Sequence, residues 1–107
     1  MSSQLPPPVP TDALYDVASR VITITFDQPL TPPLLDDSNW LLHRASVAYP
    51  PTAQPVVLGN TVTFEASIAG VAGPQGKFVE YSAAIPDLTG PTGVPVAPFL
   101  YDYTDLI

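Results

Sequence analysis

The sequence predicts an all-β fold, an antiparallel β-sandwich of about seven strands behind a Pro-rich N-terminal arm. Three observations predict it. The segment VITITF places Ile22, Ile24 and Phe26 at alternate positions, the period of a half-buried strand. Fifteen prolines in 107 residues remove backbone donors throughout and make helix the losing conformation. Short apolar runs recur between clusters of Pro, Gly, Asn and Asp, which is the punctuation of consecutive strands. The length admits one domain with one modest core, divided as an arm (1–11), a sandwich (12–101) and a C-terminal tail (102–107).

Taken in order, Ser2–Pro10 favours extended polyproline II, stiff and without internal hydrogen bonds, and is expected to be mobile in the isolated chain. A first strand is expected over Asp12–Asp16, with Ala13 and Tyr15 on one face, and VAS then turns into a second strand over Arg20–Phe26. Pro29, Pro32 and Pro33 end ladder pairing, and Asp36 or Ser38 is placed to cap a single helical turn. The segment DQPLTPPLLDDSNW thus carries the chain from one sheet to the other and sets Trp40 into the core. Trp40 and Leu42 alternate with Leu41 and His43 in a third strand over Asn39–Ala45. SVAYPP reads as a short sheet-switching strand, and QPVVLGNTVTF as a hairpin turning at Gly59-Asn60, with Val62, Phe64 and Ala66 facing the core. AGVAGPQG is a loop, KFVEYSA a strand burying Val79 and Tyr81, PDLTGPTGVP a turn, and VAPFLYDY the last strand.

The formal charge of −7 rests on three basic residues, and Arg20, Arg44 and Lys77 are scattered. Phosphate neutralisation needs clustered Lys and Arg, so nucleic acid and anionic membrane surfaces are not expected partners. There is no cysteine, hence no disulfide or thiolate chemistry. MSSQLPPPVP has neither the basic region nor the apolar stretch of a secretion signal, and no run approaches the length of a membrane helix. Synthesis in a cytoplasm, with release by lysis or a signal-free route, is the expectation.

Chemistry has few candidates. His43 is the one histidine, and a triad with Ser38 or Ser46 and Asp36 lacks a nucleophile elbow, so a solvent-facing strand histidine is expected. Asp36–Asp37 and Asp102 with Asp105 offer oxygen ligands but no spaced Asp/Asn loop closed by Glu, and no cofactor is expected. What remains is contact surface. Leu5, Pro6, Pro7, Pro8 and Val9 in the arm, with Tyr101, Tyr103, Leu106 and Ile107 in FLYDYTDLI, are the candidate partner contacts, since aromatic and apolar ends supply large area at small entropic cost.

The ordered pieces VITITFDQPL, DDSNW, VVLGNTVTFEAS and KFVEYSAAIPDLTGPTGVPVAPF resemble the bacterial immunoglobulin-like repeat of cell-surface motility proteins, found also in adhesins and phage virion proteins. Phe26, Pro29, Leu30, Asn39, Trp40, Gly59, Asn60, Val62, Tyr81, Leu88, Gly93, Val96 and Phe99 fall in step with that family's motifs, from Val21 to Phe99. Val94 stands where the family has Asn, and TGPTG lacks its acidic residue, so the resemblance brings no cation site with it. It implies an immunoglobulin-like sandwich. With the standalone size, the missing signal and the two adhesive ends, it further implies a non-enzymatic phage virion protein at the virion surface. Capsid decoration or cement is the expected role, with a major capsid or other virion protein, or copies of itself, as partners. The alternative is a binding module of a bacterial surface-layer or adhesin protein at the cell surface.

Overall fold

Alternation decides the architecture. In a strand, successive side chains point to opposite faces, so a strand with apolar residues at every second position can bury one row only by lying on another sheet. A computed structural model describes residues 7–31, 36–44, 47–66, 77–82, 88–91 and 93–106, and they form two such sheets packed as a sandwich. β1 (Pro10–Asp16), β2 (Val21–Phe26), β5 (Val56–Leu58), β6 (Thr61–Glu65) and β9 (Thr104–Leu106) make one sheet, in the order β5-β6-β2-β1-β9. β3 (Trp40–Arg44), β4 (Val47–Tyr49), β7 (Phe78–Tyr81) and β8 (Phe99–Asp102) make the other, in the order β4-β3-β7-β8. The chain crosses between the sheets from β2 to β3, β4 to β5, β6 to β7 and β8 to β9, and β3 carries the buried Trp40.

The core is the set the alternation selects. Ile22, Ile24, Phe26, Trp40, Leu42, Val62, Phe64, Val79 and Tyr81 are all buried, as are Ala13, Tyr15 and Ala66. Trp40 is its hub, with ring centroids 4.8 Å from Tyr81, 5.9 Å from Phe64 and 6.1 Å from Phe99. No disulfide bridges the sheets, and this aromatic cluster fills the space between them. The outer face of the five-stranded sheet pairs Thr23 with Thr63 and Thr25 with Thr61, cross-strand pairs that suit a solvated pleat.

The connections follow local chemistry. Asp36 caps the 3-10 turn Asp37–Asn39 by accepting from the Ser38 N–H, which delivers Trp40 to the core. At the β5–β6 hairpin Gly59 alone takes positive φ (63°), the type II′ pattern, and the turn is tied to β2 by the Asn60 side chain on the Phe26 carbonyl. Leu88 and Val96 are buried in the loop before β8, closed by a bond from the Val96 N–H to the Leu88 carbonyl.

Several expectations change. The described residues hold nine strands rather than about seven, and one of the additions is β9, formed where the chain runs past the expected end of the last strand at Tyr103 and crosses into the other sheet. β9 runs parallel to β1, so the sandwich is not wholly antiparallel, and four residues assigned to the tail, Asp102 in β8 and Thr104–Leu106 in β9, are sheet. β1 starts at Pro10, two residues before the expected strand, inside the segment assigned to the arm. β4 does not switch sheets, since it pairs with β3 and the crossing follows it at Pro50–Pro55. The loop 67–76 and most of the PDLTGPTGVP turn's entry lie outside the described residues. Prolines border three of the four sheet-edge strands: Pro50 follows β4, Pro55 precedes β5 and Pro98 precedes β8.

Candidate functional site

Two features carry more chemistry than a bare sandwich needs. The first lies between the sheets. β3 turns Trp40, Leu42 and Arg44 inward, so its alternation drives a guanidinium into the interior, where Arg44 is 4% exposed. Asp105 comes inward from β9, beside Tyr15 in register, and meets it with both carboxylate oxygens: Nη2 donates to Oδ1 at 2.6 Å and Nη1 to Oδ2 at 3.2 Å. The Lys77 ammonium stands 3.5 Å from Oδ2. The rings of Tyr15 and Tyr103 lie 5.9 and 5.7 Å from the guanidinium carbon and 5.9 Å from each other, so the cation packs against an aromatic corner. The Tyr103 hydroxyl donates to the His43 carbonyl at 3.1 Å.

The electrostatics follow from burial and pairing. Burial raises the Asp105 pKa, but the Arg44 hydrogen bonds and the Arg44 and Lys77 charges outweigh it and hold the carboxyl below its ordinary value. Arg44 is held above its ordinary value, first by the hydrogen bond to Asp105 and against its own desolvation. Burial pushes the Tyr103 phenol up to about 12, with the Arg44 charge opposing. All three groups keep fixed protonation states at neutral pH, so this centre can bind a carboxylate or clamp a strand.

The second feature is outside. The outer face of the four-stranded sheet presents Leu41, His43, Phe78, Glu80 and Leu100, with Leu100 64% exposed. His43 is half-buried rather than fully solvent-facing: its ring stacks on Phe78 at 4.3 Å and its Nε2 lies 2.8 Å from Glu80 Oε1. Beside Leu100 an open depression of about 380 Å³ is lined by Glu80, Tyr81, Ser82, Pro98 and Phe99.

The contact candidates separate. Leu5, Pro6 and Ile107 lie outside the described residues, as does Ser46. Pro7 is exposed, and Val9 is exposed with its N–H donating to Asp27 Oδ1. Pro8 is buried, and Gly90 lies so close that a Cβ there would stand 2.8 Å from Pro8 Cγ. The end of the arm is thus docked, against the expectation of a wholly mobile segment. Gly90→Ala should cost about 1–3 kcal/mol by overpacking this contact, read as a lower denaturant midpoint with an unchanged slope. Tyr101 is half-buried against the core. Tyr103 is 3% exposed, so it serves the Arg44 centre and the core rather than a partner contact. Leu106 sits in β9, paired with Asp16.

In the Ser38 form of the sketched triad, the serine and the histidine have other partners. Ser38 Oγ donates to Asp36 at 2.8 Å while His43 pairs with Glu80, which assigns these groups to two different pairs. Asp102 is exposed on β8 while Asp105 is clamped inside, and among the described residues no three acidic or histidine groups are gathered for a metal. Sequence reasoning missed Arg44, Asp105 and Lys77 as a centre. The signal was present in the inward parity of Arg44 on its strand. No family model matches the chain, and no curated protein and no solved structure matches it either.

Proposed function

We propose that the protein is a non-enzymatic structural subunit of a phage virion, a capsid decoration or cement protein held at the virion surface by protein–protein contacts. The observation that carries this reading is the outer face around Leu100, where a 64% exposed Leu stands beside an open depression on an otherwise acidic chain. Large exposed apolar groups next to concave surface are where binding free energy concentrates. The order of the immunoglobulin-like motifs supports the same reading. Exposed Pro7 and Val9 offer a second contact, and a major capsid protein or another virion protein with a basic rim is the matching partner. Many copies with modest individual affinity would hold through multivalency.

The test uses particles of the encoding phage stripped of this protein. Full-length chain should rebind saturably, and Leu100→Asp should bind about tenfold or more weakly, since a buried unpaired carboxylate costs well over 1.4 kcal/mol. The melting temperature of Leu100→Asp should be unchanged, because the side chain is exposed. Absence of binding by the unmodified chain would overturn the virion role, and equal binding by both would move the contact to another face.

A further inference from the structure

Among the described strands, β9 alone is held by parallel pairing. It has three residues, it pairs in parallel along β1 (Leu14 with Thr104, Tyr15 with Asp105, Asp16 with Leu106), and one residue, Tyr103, joins it to β8. No proline borders it, whereas the other three edge strands each have one. Its anchor is Asp105, whose side chain is 6% exposed and bound in two places by Arg44.

The receiving side belongs wholly to other parts of the chain. Arg44 comes from β3, Tyr15 and the free edge from β1, and Lys77 from the residue before β7. Together they form a slot for a short extended segment with a carboxylate at its centre. Main-chain pairing gives such a slot affinity, and the buried guanidinium gives it selectivity for that carboxylate. We infer that the slot also accepts Thr104–Leu106 of a second copy, so that the chain assembles by exchanging its C-terminal strand.

Self and exchanged contacts are identical, so the balance between them rests on chain entropy and concentration. The one-residue link favours exchange. It forces the chain to cross from sheet to sheet at Tyr103, and a very short hinge relieves that constraint by letting β8 and β9 run on as one strand. An empty slot leaves a buried charge unpaired, so exchange between folded subunits is slow and joint refolding is the route. The inference concerns how copies join and does not depend on the virion role.

The chain has no cysteine, so two introduced thiols report strand origin without background. Full-length Leu14→Cys and mass-tagged full-length Thr104→Cys are unfolded together, refolded at high concentration and oxidised. Neither variant can close the 14–104 disulfide within itself. Cross-linked heterodimer should exceed the control pair, Leu14→Cys with Leu58→Cys on the opposite edge, by about tenfold. Adding Asp105→Asn to the Thr104→Cys chain should remove the excess. The second register pair, Asp16→Cys with Leu106→Cys, should repeat the result. Heterodimer at the control level in both register pairs would overturn the inference, as would an excess indifferent to Asp105→Asn.

Discussion

Trp40→Ala should remove about 3–5 kcal/mol of stability, a large part of the 5–15 kcal/mol that holds a domain of this size together. Trp40 is fully buried and contacts three aromatic rings drawn from both sheets, so truncation opens a cavity that neither sheet can close alone. The measurement is a denaturant titration followed by far-UV circular dichroism, since the only Trp fluorophore is lost with the substitution. Trp40→Phe separates volume from polarity. The indole Nε1 is buried without a hydrogen-bond partner among the described residues, so the Phe variant gives up no hydrogen bond and relieves that unpaired donor. Its loss should be clearly smaller than that of the Ala variant. Equal losses would mean that the ring volume at this site contributes little.

Asp105→Ala should cost a comparable 3–5 kcal/mol, by a different mechanism. The lost contact is the smaller part, because the variant strands the Arg44 guanidinium between the sheets beside two Tyr rings that cannot replace a carboxylate. The double change Arg44→Met with Asp105→Leu removes both charges and keeps apolar volume. It should therefore recover much of the loss, and a double variant as unstable as the single one would refute this account. The pH dependence follows from the depressed carboxyl. Its stabilisation is fully present above the unfolded-state value of about 3.9 and disappears as pH falls through the lower folded-state value. Acid unfolding of the parent should thus steepen below about pH 4, and the double variant should lose that component.

Much of the sandwich was legible because it is written in period two. Ile22, Ile24 and Phe26, then Val62 and Phe64, then Val79 and Tyr81 name their own faces, and every one is buried. Gly59-Asn60 fixed its hairpin for a comparably local reason, one residue free to take positive φ. The interior charge was hidden because Arg44 and Asp105 are 61 residues apart, and each alone looks like a solvated surface group. Yet Arg44 has the parity of Trp40 and Leu42, and Asp105 that of Tyr103, so alternation carried to the strand ends would have turned both inward. β9 was not legible, since TDL after Tyr103 reads as a three-residue tail until β1 captures it in parallel. Neither was Arg20, a non-glycine at φ 63° in the β1–β2 turn, whose conformation is imposed by hydrogen bonds from the turn to Asp16.

The prolines at the sheet borders bear on what happens when the protein is crowded. Exposed strand edges are templates for runaway growth into fibres, since each added strand presents a fresh ladder to the next. Here β4, β5 and β8 are each cut short beside a residue with no N–H to offer. Three of the four described sheet edges are thus blunted against the lateral growth that nucleates amyloid when many copies are pressed together.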